Sequence, residues 1–196
     1  MKTRTKQFGT VAALLLMGAL PGAGAVSLVF SGTPGSSIIN YTLSGAGIFS
    51  AGGLDNMIVV VALSSDPFDP IFDVTQNYGI TGTGILTNTT TAQSTSLVNI
   101  RFDHDDPVGG GQDDLRLDFN SNLAVTNGDA YTISGNGTID VSPAGATFSD
   151  FNLGTGSGIV TGSGLVVDGL SLTIVPEPSG TVLAMLGLVL GLRRRR

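Results

Sequence analysis

The chain has no cysteine, no tryptophan, one histidine and one glutamate in 196 residues. Without cysteine there is no disulfide framework and no thiolate metal site. One histidine, His104, cannot supply the three nitrogen or sulfur ligands of a zinc centre. No serine sits in a Gly-x-Ser-x-Gly elbow, so His104 has no nucleophile marked out for it. Paired carboxylates could hydrolyse glycosides, but acidic pairs are too common here to single one out. With no tryptophan and three tyrosines, the chain is also poor in the aromatic platforms of sugar-cleaving clefts. The sequence therefore reads as non-enzymatic, and a secreted hydrolase would require a cleft holding two carboxylates at glycosidase separation.

Basic residues are scarce in the middle. Seven of the nine lie at the ends: Lys2, Arg4, Lys6 and Arg193 to Arg196. Between residues 26 and 174 only Arg101 and Arg116 face fourteen aspartates, a net charge of −12. Such a surface repels phosphate backbones and excludes nucleic acid as a partner, while small cations are attracted.

The N-terminus has the three parts of an export signal. Lys2, Arg4 and Lys6 precede an apolar run from Val11 to Leu20 and a Pro21-Gly22 break. Ala23-Gly24-Ala25 then offers the small-x-small pattern that signal peptidase accepts. The expected division is a signal peptide over 1–25, an exported domain over 26–174 and a tail over 175–196. A domain of about 150 residues can bury roughly 68–70% of its unfolded surface, enough for one core without cross-links.

That domain reads as all-β, with a β-sandwich or jelly-roll-like arrangement expected. Runs rich in Val, Ile, Thr, Phe and Leu are separated by Gly, Ser, Asn, Asp and Pro. The strands expected are Val26–Ser31, Ile38–Leu43, Met57–Leu63, Leu97–Phe102, Leu115–Phe119, Tyr131–Ser134, Thr138–Val141, Thr147–Leu153 and Leu165–Val175. Leu115, Leu117 and Phe119 alternate with Arg116 and Asp118, the period of a half-buried strand. Gly-x-Gly recurs at Gly45, Gly82, Gly135, Gly156 and Gly162, and reads as turn chemistry before each strand.

One polar cluster stands out. Asp103, Asp105, Asp106, Asp113, Asp114 and Asp118 flank a Gly109-Gly110-Gly111 run between two expected strands. Calcium takes six to eight oxygens, so these six aspartates are the candidate calcium ligands; the alternative is a solvated acidic loop. The threonine-rich stretch Thr83 to Ser96 reads as an exposed strand pair, or as the flat hydroxyl array of an ice-binding surface.

The C-terminus carries the most specific signal. Val175-Pro176-Glu177-Pro178 is followed by an apolar stretch, Gly180 to Leu192, and by Arg193, Arg194, Arg195 and Arg196. Two close prolines interrupt sheet and helix alike, and are expected to leave a stiff connector free of the sheet. The apolar stretch suits a helix in lipid, with the arginines retained on the cytoplasmic side. In order and kind, these parts resemble the PEP-CTERM sorting tail of exosortase substrates in Gram-negative bacteria. Thirteen residues rise only about 20 Å, less than a full bilayer, so snorkelling arginines must complete the span. The resemblance implies export across the inner membrane, a transient membrane anchor, processing by an exosortase-type membrane enzyme, and a place at the cell surface or in an exopolysaccharide matrix. Similar tails occur on some ice-binding proteins. Calcium, polysaccharide and ice binding are the alternative roles for the domain.

Overall fold

The computed structural model describes residues 26–177 apart from 62, 65, 73–75, 107–111 and 161–163. The expected signal peptide, with Ala23 and Ala25, and the expected tail beyond Glu177, including Pro178 and Arg193 to Arg196, lie outside the described residues. Among those described, no helix is long and apolar enough to cross a membrane.

The domain is all-β. Nine strands follow one another: β1 (Val26–Gly32), β2 (Ile38–Ile48), β3 (Gly53–Val61), β4 (Gln76–Asn88), β5 (Gln93–Asp106), β6 (Gln112–Val125), β7 (Ala130–Asp140), β8 (Gly154–Val160) and β9 (Leu170–Pro176). They form one sheet that curls until its edges meet, in the order β1-β2-β7-β4-β5-β6-β3-β8-β9 and back to β1. Closure leaves no free edge to pair with another chain. The narrowest seam is β3 to β8, where only Val60 and Val61 pair, with Val160 and Ile159.

Alternation sets which side chains face in. In β1 the buried residues Val26, Leu28 and Phe30 alternate with half-exposed Ser27, Val29 and Ser31. The same period puts Leu115, Leu117 and Phe119 inside and Arg116 outside, as the sequence suggests. Apolar groups therefore fill the ring and polar groups clothe it, the reverse of a lipid-spanning barrel.

The expected Tyr131–Ser134 and Thr138–Val141 are a single strand, β7, running through Gly135 and Gly137. The run Thr147–Leu153 is not a strand. It holds a short 3₁₀ turn, Phe148–Asp150, with Thr147 and Asp150 capping each other's backbone. Strand β8 and β4 up to Gly82 lie outside the expected strands, while the rest of β4 falls in the expected Thr83–Ser96 strand pair; both strands are rich in glycine and threonine rather than in the apolar residues that mark a strand.

Four of the five glycine pairs are not turn residues; the fifth, at Gly162, begins outside the described residues. Gly45 and Gly47, Gly82 and Gly84, Gly135 and Gly137, and Gly156 and Gly158 all lie within strands. Only Gly82 among these eight has a positive φ. Their role is close approach: a Cβ on Gly135 would stand 2.2 Å from the Thr83 carbonyl oxygen, and one on Gly84 would stand 2.6 Å from Leu97 Cβ. Tyr41, paired with Gly137 across β2 and β7, donates its hydroxyl to the Thr83 carbonyl at 2.9 Å.

All neighbouring strands are antiparallel except β1 and β9, which run parallel, Val26 beside Leu170 and Gly32 beside Pro176. Both chain ends of the domain thus have fixed places: Val26 at one end of the ring, Pro176 at the other. Following the antiparallel ladder, the β1–β2, β3–β4, β5–β6 and β7–β8 connections share the end where Pro176 emerges. There Phe102 contacts the rings of Phe30, Phe68, Phe72, Tyr78 and Phe151 at centroid distances of 4.9–5.5 Å.

Candidate functional site

Two of the three residues of the Pro-Glu-Pro motif are joined to the domain. Strand β9 continues through Val175 to Pro176, which pairs with Gly32. The Glu177 amide donates to the Gly32 carbonyl at 2.9 Å, and the Asn40 side-chain amide donates to the Glu177 carboxylate. The expectation of a connector free of the sheet is thus corrected at Pro176 and Glu177. A parallel partner strand can receive a proline whose nitrogen needs no bond, and β1 then captures the next amide. No residue separates the closing strand from the motif.

The four candidate calcium aspartates whose side chains are described, Asp103, Asp113, Asp114 and Asp118, divide between the two sides of the β5–β6 hairpin. Asp103 and Asp114 are directly opposite each other on the outer side. Asp103 accepts from Arg101 Nη2 at 3.0 Å, and Asp118 accepts from Arg116 Nε. Asp113 points inward and is fully buried. It accepts from the Phe68 amide at 2.7 Å and meets His104 Nδ1 at 3.0 Å, so it fastens the β3–β4 connection to the hairpin. Burial pushes its carboxyl above the usual carboxylate range, against the opposing pull of the Phe68 amide and His104. The side chains of Asp105 and Asp106 lie outside the described residues, and among those described no three acidic or histidine side chains form a metal-binding group.

The outer side of β3, β5 and β6 carries a cavity of about 190 Å³. Met57, Val59 and Leu115 line it together with Arg101, Asp103, Asp114 and Arg116. Register explains the convergence: Arg101 is opposite Arg116, Arg116 is opposite Val59, and Met57 is opposite Asp118. The two arginines of the domain thus meet at one place. Sequence reading paired them with the acidic cluster as counter-charge; it had no means to align the three strands that form the cavity.

The threonine-rich stretch forms the β4–β5 hairpin. Thr83 and Ser94 point outward, and Thr87 and Ser94 hydroxyls bond at 2.9 Å. Thr95 is buried, its hydroxyl donating to the Ser121 carbonyl. Asn88, also buried, closes the turn by accepting from the Thr90 and Thr91 amides. The outward row continues across β7 and β2 as Ser134, Asn136, Thr42 and Ser44, all without charge. No family model matches the chain, and no curated protein matches it significantly.

Proposed function

We propose that this chain is an exported protein of the cell surface or extracellular matrix, delivered and trimmed through its C-terminal tail, with a β domain that works by binding rather than catalysis. The observation that carries the reading is the order of parts immediately after the closing strand: Pro176-Glu177-Pro178, the apolar stretch Gly180 to Leu192, then four arginines. Four guanidinium groups resist passage through hydrocarbon, each costing about 2.5–3.5 kcal/mol at a helix centre on the insertion scale. The tail would stall in the inner membrane with the motif at its outer face. Because β9 ends at Pro176, the domain would stand directly on that face, its acidic hairpin end toward the lipid, until an exosortase-type enzyme cuts the tail. On this reading the ring is flattened into two layers, the sandwich expected from the sequence. An exterior free of lysine and a core free of cysteine suit a domain that folds after export without oxidative help.

The test is intact-mass analysis of the chain expressed in an exosortase-bearing Gram-negative host. The expected product outside the cell begins at Val26 and lacks Arg193 to Arg196. A chain found only with residues 1–25 attached, or only in the cytoplasm, would overturn the proposal.

A further inference from the structure

The cavity on the outer side of β3, β5 and β6 is lined by charges in an arrangement that sheet stability does not favour. Like charges directly opposite each other across two strands are destabilising. Here Arg101 is opposite Arg116, and Asp103 is opposite Asp114. Interchanging two residues on either strand would set each arginine opposite an aspartate. Arg101 is bonded along its strand to Asp103, and Arg116 to Asp118. Guanidinium groups and carboxylates therefore stand side by side at the cavity, held in place by ion pairs.

We propose that this cavity binds one ring of a neutral polyhydroxylated ligand, a sugar residue within a glycan. Three properties select that chemistry. The described lining carries two positive and two negative groups, Arg101 and Arg116 against Asp103 and Asp114, so it favours neither a free anion nor a free cation. Fixed donors and acceptors together suit vicinal hydroxyls, each of which can donate and accept. Met57 and Val59 offer an apolar floor for the C–H face of a ring. At about 190 Å³ the cavity is below the roughly 300–1,000 Å³ of clefts for drug-sized ligands, which limits it to about one ring. The net charge of −12 over the domain sets it against polyanionic glycans. No aromatic ring is among the described residues that line the cavity, so attachment to each sugar is weak and is best read against a concentrated polymer. This inference rests on the matrix reading for its setting.

The test is affinity electrophoresis of the full chain in non-ionic detergent, in gels cast with a soluble neutral glucan, a galactomannan or the polyanion alginate. Each mobility is taken relative to a glycan-free gel. The expected result is at least a twofold slowing by one of the neutral polymers and none by alginate. Val59→Lys places a long side chain across the cavity without removing a polar partner and is expected to abolish the slowing; Arg116→Gln is expected to reduce it. Unchanged melting temperatures for the variants exclude misfolding as the cause, and Met57→Lys serves if Val59→Lys melts early. No slowing in either neutral gel, equal slowing of the lysine variants, or slowing by alginate alone overturns the inference. A chain trimmed and exported normally that ignores neutral polymers would leave the sorting proposal standing. A chain that binds them but is never exported would do the reverse.

Discussion

The two broad walls of the ring are built on opposite plans. In β2, β7 and β4 the inward positions include Gly45, Gly47, Gly135, Gly137, Gly82 and Gly84, and the outward ones are mostly Thr, Ser and Asn, with exposed Ile38, Ile48 and Ile85 among them. In β3, β6 and β5 the inward positions are Ile58, Val60, Leu115, Leu117, Phe119, Ile100 and Phe102, and the outward ones hold both arginines and three aspartates. One wall lets its backbone come close to what it faces at its glycines, where Tyr41 and Leu97 fill the space, and gives large side chains such as Tyr41, Tyr131 and Leu86 to the core at its other inward positions. The other carries a bulky apolar side chain at most of its inward positions. The core is therefore complete although one wall is interrupted by glycines, and the outer chemistry of each wall is free to differ.

The bulky wall should be the more sensitive to truncation. Phe102→Ala removes a ring that touches five other aromatics, and the expected loss is about 3–5 kcal/mol. Thermal unfolding followed by circular dichroism should fall by roughly 10 °C or more, at about 2–4 °C per kcal/mol for a chain of this size. The glycine wall should instead be sensitive to addition. Gly135→Ala would drive a Cβ into the Thr83 carbonyl and is expected to cost about 1–3 kcal/mol. Gly53→Ala, with nothing within 4 Å of its Cβ, should stay within about 0.5 kcal/mol. Equal effects of the two glycine changes would dissolve the distinction between the walls.

Where the bulky wall meets the β3–β4 connection, Asp113 makes stability depend on pH. Its folded pKa is raised, chiefly by burial. Its contribution is therefore full below the ordinary carboxylate value and is lost as pH rises through the raised folded value. Relative to Asp113→Asn, the wild-type melting temperature should fall as pH is raised from 4 to 7. A constant difference would mean that His104 and the Phe68 amide, which pull its pKa down, cancel the burial and the repulsion from Asp66. The smallest effects belong to the outer faces. Arg116→Met breaks a half-exposed ion pair and should cost about 0–1 kcal/mol; Thr83→Val on the hydroxyl face should cost less. A larger loss at Thr83 than at Arg116 would invert the ordering.

Strands with strong alternation were legible in the sequence. Val26–Ser31 and Leu115–Phe119 carry the period-2 pattern that a half-buried strand needs, and both are strands with the expected faces inward. Strand β8 and the first half of β4 were hidden because glycines interrupt their inward rows, Gly156 and Gly158 in β8 and Gly82 and Gly84 between Tyr78 and Leu86 in β4, and glycine carries no apolar signal. The same residues led β7 to be split at Gly135 and Gly137. The stretch Thr147–Leu153 misled in the other direction: Phe148 and Phe151 have strand-like composition but pack as parts of the aromatic cluster at the ring's end. The acidic hairpin was legible as a place, not as a site, because alternation sends Asp113 inward and Asp114 outward. Convergence of Arg101 and Arg116 depends on register between strands, which composition does not encode. The Pro-Glu-Pro segment is visible in the sequence itself, yet its attachment to the sheet through Gly32 and Asn40 follows only from the parallel β1–β9 pairing.

The proposal that the tail sorts the chain is tested most directly by replacing Pro176, Glu177 and Pro178 together with alanine. The apolar stretch Gly180 to Leu192 and the arginines are untouched, so a plain membrane anchor would behave as before. Fractionation of cells expressing each form, followed by immunoblotting, reads both size and place. The account predicts that the wild type is found shortened outside the cell while the triple variant stays at full length in the inner membrane. Equal shortening and equal location of the two forms would contradict it.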